Sequence, residues 1–282
     1  MILFPHCKIN LGLQVLARRN DGYHNLSTVF VPVRFHDVLE MLPAANNSST
    51  DADIEVTGIS VTQNKADNLC VKAYQLLKKD FPQLPPVRMH LHKIIPAGAG
   101  LGGGSSNGAF TLSLLNNLLG LQLSQSQLER YALTLGSDCP FFLHRQPLLA
   151  TGRGEVFTPV ELQLESYALL LITTPIHINT GWAFSQIVPA DRSISLPAVL
   201  AQPINTWKDE LTNDFEAPVF AAHPVLKEVK ASLYEAGALY ASMTGSGSTL
   251  FAFFPYKTVL PSLPAGFTAI WTTALTSLSN GQ

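Results

Sequence analysis

Charge is scarce in this chain: Asp, Glu, Lys and Arg make up 13% of its 282 residues and leave a net charge of −2. Nothing here supplies a basic field to hold a nucleic-acid backbone, so no nucleic-acid partner is expected. Cysteine is scarce too. Cys7, Cys70 and Cys139 are too few and too scattered for a disulfide framework or a zinc cluster, and they suit a reducing cytoplasm. Long apolar runs are missing. The longest, around Tyr167 to Ile172, has the length of a buried strand and cannot span a bilayer, so no membrane partner is expected. The opening residues Met1 to Pro5 lack the charged, then apolar, pattern of a signal peptide. What remains is a chain with 46% hydrophobic residues, long enough for two domains with their own cores.

The most informative stretch present is Ile94-Ile95-Pro96-Ala97-Gly98-Ala99-Gly100-Leu101-Gly102-Gly103-Gly104-Ser105-Ser106-Asn107. Its glycines lie between a strand-like and a helix-like run. Glycine allows positive φ and lets a ligand approach the main chain. The free amides and dipole of the following helix then favour an anion, most commonly phosphate. No lysine follows, so this is not a Walker A loop. Gly98, Gly100 and Gly103 match a dinucleotide pattern, but the region about 20 residues on, Gln122 to Glu129, opens another helix rather than ending a strand with an acid. Gly104, Ser106 and Gly108 match a nucleophile-elbow pattern, yet Ser106 sits behind a long glycine loop instead of a tight strand–helix turn.

Alternation of Cys7, Ile9, Leu11, Leu13 and Val15 with Lys8, Asn10, Gly12 and Gln14 predicts a strand with one buried and one polar face. An Asn20-Asp21-Gly22 turn leads to a second strand near 26–34. Further strands are predicted at 36–42, 53–56 and 87–95, with a helix at 68–79. A buried helix follows the glycine loop and closes at Gly120, and a Ser124/Gln127 capping box starts another that stops at Gly136. A boundary is placed near 150–165, with a strand at 167–174, helices at 214–222 and 225–236, and strands at 240–244, 248–254 and 267–274. The absence of regular strand–helix alternation argues against a doubly wound sheet and for α+β.

Lys8-Ile9-Asn10-Leu11, the loop 96–107, and Ser242-Met243-Thr244-Gly245-Ser246-Gly247-Ser248-Thr249 occur in an order that resembles the GHMP kinase superfamily. Within it, Arg19-Asn20-Asp21-Gly22-Tyr23-His24, Asp67-Asn68-Leu69, Leu135-Gly136-Ser137-Asp138-Cys139-Pro140-Phe141-Phe142 and Asn213-Asp214-Phe215-Glu216 resemble the branch acting on a cytidine-diphosphate alcohol. The likeness runs from about residue 5 to 254. His6-Cys7, Ala99 and Gly108 depart from the usual pattern without removing a chemical group.

The resemblance implies a two-domain α+β fold. Residues 1–155 would form a half like the second domain of ribosomal protein S5, and 156–282 a ferredoxin-like half whose last strand packs back on the first. The active site would lie in the cleft between them. It further implies ATP with Mg2+ as cofactor and a cytoplasmic enzyme, monomeric or weakly dimeric, of non-mevalonate isoprenoid synthesis. The reaction would move the γ-phosphate to the acceptor's tertiary 2-hydroxyl; a homoserine- or mevalonate-type kinase or a non-catalytic nucleotide-binding module are the alternatives. Asp138 would be the base and Lys8 its cationic neighbour, although locally Asp138 also reads as a turn residue and Lys8 as a solvated strand lysine. ATP would engage Pro96, Ala97, Gly98, Ala99, Gly100, Leu101, Gly102, Gly103, Gly104, Ser105 and Ser106. Gly245 and Ser246 would back the phosphates, though this segment also reads as a plain hairpin turn. Asn68 and Lys93 would lie near the adenine. Asn10 would bind the methylerythritol part, Tyr23 and Phe184 would sandwich the cytosine, and His24 would read its edge, unless Tyr23 is only an exposed turn aromatic. Ser106 is the one protein ligand suggested for the metal. His90 and His92 share a strand face without a third partner and read as structural.

Overall fold

The computed structural model describes residues 1–44, 51–59, 64–191 and 194–275. In chain order the strands and helices are β1 (Ile2–Leu3), β2 (His6–Arg18), β3 (His24–His36), β4 (Val38–Pro43), β5 (Ala52–Gly58), α1 (Leu69–Asp80), β6 (Val87–Lys93), α2 (Gly103–Leu119) and α3 (Gln125–Leu135). They continue with β7 (Leu148–Thr151), β8 (Val156–Pro159), β9 (Ala168–Thr173), α4 (Thr180–Ser185), α5 (Leu196–Leu200), α6 (Trp207–Glu210), α7 (Glu216–Ala222), α8 (Pro224–Glu235), β10 (Tyr240–Met243), β11 (Leu250–Phe254) and β12 (Thr268–Thr272). The chain divides into two compact units, each discontinuous in sequence. One comprises residues 1–7, 35–97 and 102–144; the other comprises 8–34, 98–101 and 145–282.

The first unit is built on a sheet of order β1-β4-β6-β5. Strands β4 and β6 are antiparallel, whereas β5 and β6 run parallel, joined by α1 as a crossover. Along β6 the side chains alternate: Val87, Met89, Leu91 and Lys93 point into the core, while Arg88 and His92 are exposed. Tyr74 and Leu77 of α1 and Leu112 and Leu115 of α2 cover that inner face. Helix α1 starts where the Asn68 side chain accepts a hydrogen bond from the Cys70 amide, and α3 starts at the Ser124/Gln127 capping box.

The second unit holds two four-stranded sheets, β2-β3-β7-β8 and β10-β11-β9-β12. The second of these is antiparallel throughout, and Leu170, Ile172, Ala252 and Met243 of its strands share a core with Phe215, Val219, Leu226 and Leu233 from the helices. Strand β12 pairs with β9, and beyond it Ala274 bridges to Val33 of β3.

Several expectations are corrected. Strand β2 is covered on both faces from His6 to Val15: Lys8, Asn10 and Gln14 are buried along with Ile9 and Leu11. Periodicity in sequence separates faces but does not say whether the polar one is covered. Strands β7 and β8 were not foreseen. The Thr151-Gly152-Arg153-Gly154 cluster chosen as a boundary is the turn joining them, with Gly152 and Gly154 both at positive φ. Phe184, in a stretch where no element was predicted, lies on α4, a helix begun by Asn179, whose side chain accepts a hydrogen bond from the Trp182 amide.

All three cysteines are buried. Burial pushes the Cys70 and Cys139 thiols up to about 11 and about 12, and the neighbouring Asp138 charge adds to the effect at Cys139. Neither yields a thiolate near neutrality, and the thiolate is the reactive species. The native protein is therefore expected to resist a thiol reagent such as 5,5′-dithiobis(2-nitrobenzoate) at pH 8. Three equivalents should react on unfolding in guanidinium; rapid modification of the native state would contradict this packing.

Candidate functional site

The glycine stretch folds as an anion loop should. Gly98, Gly100 and Gly102 all have positive φ, and Gly102 is the N-cap of α2 but supplies no side chain to cap it. The first amides of α2 are left for a ligand, and the helix dipole favours an anion there. Gly100 is required: a Cβ on it would lie 2.0 Å from the Thr244 carbonyl oxygen, at a φ of +80°. In the first turns of α2, Ser105 donates a hydrogen bond of 2.8 Å to Asp138 Oδ1. The Ser106 hydroxyl is fully buried and has no hydrogen-bond partner among the described residues. A buried unpaired hydroxyl costs about 1–3 kcal/mol, which a ligand at this end of the helix can recover. The same burial removes Ser106 as an exposed nucleophile. Asp138 itself sits between α3 and a short 3-10 turn led by Cys139 and Pro140, and is half-buried.

Lys93 ends β6 on its buried side, and its ammonium is bonded to Asp37 Oδ2 and, at 3.1 Å, to Asn107 Oδ1. Asp37 is fully buried. Its Oδ1 accepts from the amides of Ile94 and Ile95 at 2.7 and 2.9 Å, and Asn107 Nδ2 donates to its Oδ2 at 2.9 Å. Lys93 is thus partnered within the core beneath the start of α2 rather than presented to solvent. Asn68, also expected near adenine, is occupied as the cap of α1. An inward lysine demands a buried anion, and that reasoning alone points to an acidic partner; Asp37 is what sequence reasoning missed. Pro96 and Ala97 lie between Ile95 and the first positive-φ glycine, where the chain leaves β6.

In the second unit Asn10 is a hub. Its Oδ1 accepts from Lys8 Nζ at 2.6 Å and from the Gly245 amide at 2.9 Å, and lies 3.1 Å from the Thr244 hydroxyl. Its Nδ2 donates to Thr28 at 2.9 Å. Lys8 Nζ also donates to the Gly100 carbonyl at 2.7 Å, and the Lys8 amide to Leu101 O at 3.0 Å. Lys8, Asn10, Gly100 and Gly245, far apart in sequence, are therefore brought together. Instead of reaching toward a ligand, the Asn10 oxygen is saturated by the protein.

The Gly245 turn has supports the sequence did not mark. Asn213 Nδ2 donates to Met243 O and Gly245 O at 2.7 and 2.8 Å. Glu216 Oε1 accepts from the Met243 amide at 2.8 Å. Ser246 lies 3.1 Å from the Thr180 hydroxyl. Asn213, Glu216 and Ser246 belong to the stretches that carry the resemblance, but nothing local distinguishes a clamp from a helix cap. Among the aromatics, His24 stacks on Phe184 with centroids 5.0 Å apart and planes 15° apart, and Phe215 meets Phe184 edge-on at 4.8 Å. Tyr23 is 55% exposed, with the Arg153 guanidinium 4.8 Å from its ring centroid. Tyr23 and Phe184, expected on either side of a cytosine, each have another partner here, Arg153 for Tyr23 and His24 for Phe184. His90 and His92 both bond the Thr57 hydroxyl, and no group of three metal-ligating side chains exists among the described residues.

Residues 68–146 match the model of the GHMP kinases N terminal domain and residues 195–263 that of the GHMP kinases C terminal domain. A protein of Azobacteroides pseudotrichonymphae named 4-diphosphocytidyl-2-C-methyl-D-erythritol kinase is 48% identical over 92% of this chain and 96% of its own length. One of the same name from Bacteroides thetaiotaomicron is 47% identical over 94% and 96%. A crystal structure of 4-(cytidine 5′-diphospho)-2C-methyl-D-erythritol kinase superposes with a TM-score of 0.80 at 30% identity, covering 98% of this chain and all of that one. No described helix is long and apolar enough to cross a membrane. With both domain models matched and relatives this similar along nearly its whole length, the chain belongs to the GHMP kinases, in the family of 4-diphosphocytidyl-2-C-methyl-D-erythritol kinases.

Proposed function

We propose that this protein transfers the γ-phosphate of ATP to the 2-hydroxyl of 4-diphosphocytidyl-2-C-methyl-D-erythritol, as the names of its relatives indicate for them. The observation that carries the chemistry is the uncapped, glycine-lined start of α2 with Asp138 hydrogen-bonded to Ser105 in its first turn. It combines an anion site and a carboxylate base on one short stretch of structure. Phosphoryl transfer asks mostly for positioning and charge stabilisation. Asp138 accepts the proton of the acceptor hydroxyl, whose oxygen forms the new bond to the γ-phosphorus. The bond from that phosphorus to the β–γ bridging oxygen breaks, and ADP leaves. The amides of Gly103 to Ser105 hold the phosphates, and Lys8 supplies a cation for the reacting oxygens. Gly98 to Leu101 and Gly245–Ser246 line the phosphates, and Lys93 supports the ends of the glycine loop through its core contacts.

Magnesium fits this donor set as a companion of the nucleotide. Mg2+ typically keeps several waters and takes one or two protein oxygens with the phosphates. The orphan Ser106 hydroxyl is the protein group that would hold it, and when bound it would neutralise phosphate charge. For the acceptor, Tyr23 offers its exposed face to the cytosine, with His24 and Phe184 as the neighbouring aromatic pair. We also assign a cytoplasmic location, a monomer or weak homodimer, and no nucleic-acid partner, in keeping with the net charge of −2.

ADP release from Mg·ATP across 4-diphosphocytidyl-methylerythritol, homoserine, mevalonate and galactose should show strong turnover with the cytidine compound alone. Turnover with another acceptor would discard the cytosine assignment, and none with any would leave a nucleotide-binding module. Asp138→Asn is expected to lower kcat at least 100-fold with ATP affinity near that of the wild type; kcat within tenfold of wild type would remove Asp138 as the base. Loss of the Tyr23 ring in Tyr23→Ala should raise the acceptor KM about 10-fold or more, since base–aromatic stacking contributes about 1–3 kcal/mol. The ATP KM should stay put, and an unmoved acceptor KM would place the base elsewhere.

A further inference from the structure

Tyr23 stands at the end of the β2–β3 turn, more than half exposed, which ordinarily leaves a tyrosine ring free to rotate. Here both its backbone and its ring are held. The Arg19 amide donates to the Tyr23 carbonyl at 2.8 Å, and the Tyr23 amide donates to Asp21 Oδ1 at 3.1 Å. Arg19 in turn bonds Asp21 and, at 3.0 Å, Asn25. The ring is met from another hairpin. Arg153, in the β7–β8 turn, places its guanidinium 4.8 Å from the ring centroid. That turn is tied to β3 by a 2.7 Å bond from the Leu26 amide to the Gly152 carbonyl. Within it, Glu155 binds both the Arg153 amide and, at 3.3 Å, Arg153 Nε. The guanidinium is thus held by its own turn and need not be ordered by the tyrosine.

We propose that Arg153 is a positioning residue for nucleobase recognition: it covers one face of Tyr23, fixes the ring, and leaves the opposite face to the cytosine of the acceptor. This rests on the assignment of Tyr23 as the base platform above. The physical reason is twofold. A cation over an aromatic face restrains the ring, and a ring ordered before binding loses less freedom when the ligand arrives. Lysine would be a poor substitute, because its ammonium lacks the planar surface that stacks and the Nε–H that Glu155 accepts from.

The test compares steady-state kinetics of wild type, Arg153→Met, Arg153→Lys, Tyr23→Ala and the Tyr23→Ala/Arg153→Met double variant, with 4-diphosphocytidyl-methylerythritol and Mg·ATP. Arg153→Met should raise the acceptor KM about 3- to 10-fold, with kcat and the ATP KM unchanged, and Arg153→Lys should fall between it and wild type. In the Tyr23→Ala background, Arg153→Met should add nothing, because the ring it acts through is gone. If Tyr23→Ala raises the acceptor KM but Arg153→Met does not, the platform stands and the positioning role is overturned. An equal rise in both backgrounds overturns it as well, since the guanidinium would then act on the ligand directly. Failure of Tyr23→Ala itself to move the acceptor KM would sink the platform reading first. A drop in kcat and a rise in both KM values for Arg153→Met, absent for Arg153→Lys, would mean damage to the hairpin and overturn the proposal.

Discussion

The Asn10 carboxamide is the contact on which the second unit's functional geometry depends. It is nearly inaccessible to solvent, and its oxygen gathers the Lys8 ammonium, the Thr244 hydroxyl and the Gly245 amide, while its nitrogen reaches Thr28. Donors on the oxygen and an acceptor for the nitrogen together fix three chain segments relative to each other. The Lys8 ammonium then reaches the Gly100 carbonyl, next to the point where Gly100 and Gly245 pass backbone against backbone. Side chains at either glycine would force those segments apart, so polar network and small residues act as one constraint. Apolar packing alone would tolerate slippage of a side chain or two; a saturated buried oxygen does not.

In the first unit the corresponding anchor is Asp37. Its two oxygens hold the end of β6 through the Ile94 and Ile95 amides, and α2 through Asn107, with Lys93 balancing the charge. The pair is fully enclosed, and a buried ion pair is tolerated only when its remaining hydrogen-bonding capacity is met. Here neighbouring amides and a carboxamide meet it. The consequence is local: the strand end and the start of the helix, between which the glycines run, are each fastened to the same carboxylate.

Both anchors show why polar residues on regular elements resist assignment from pattern alone. The resemblance made Lys8 the cationic neighbour of Asp138 and placed Lys93 near the adenine. One bonds a carbonyl and a carboxamide, and the other a carboxylate and a carboxamide. A lysine's place on a strand does not say whether its partner is a ligand or the protein. Asn213 and Glu216 tell the same story from the other side, since they hold the Gly245 turn while reading locally as the ordinary start of a helix.

What the sequence by itself determined is the position of most elements and of the glycine loop before a helix. Alternation at two residues placed β2, a continuous apolar run placed β9, the Ser124/Gln127 box placed α3, and the glycine run placed a loop of positive-φ residues ahead of α2, all without any knowledge of neighbours. These signals are local, because backbone conformation and capping are decided within a few residues. The tertiary structure alone decided which polar side chains are enclosed, that the cluster at Thr151 to Gly154 is a hairpin turn rather than a boundary, and that Phe184 meets His24 while Arg153 meets Tyr23. The two ring contacts depend on segments more than a hundred residues apart approaching one another, and the enclosed polar pairs on segments from different strands and loops. Sequence spacing carries no record of such approaches.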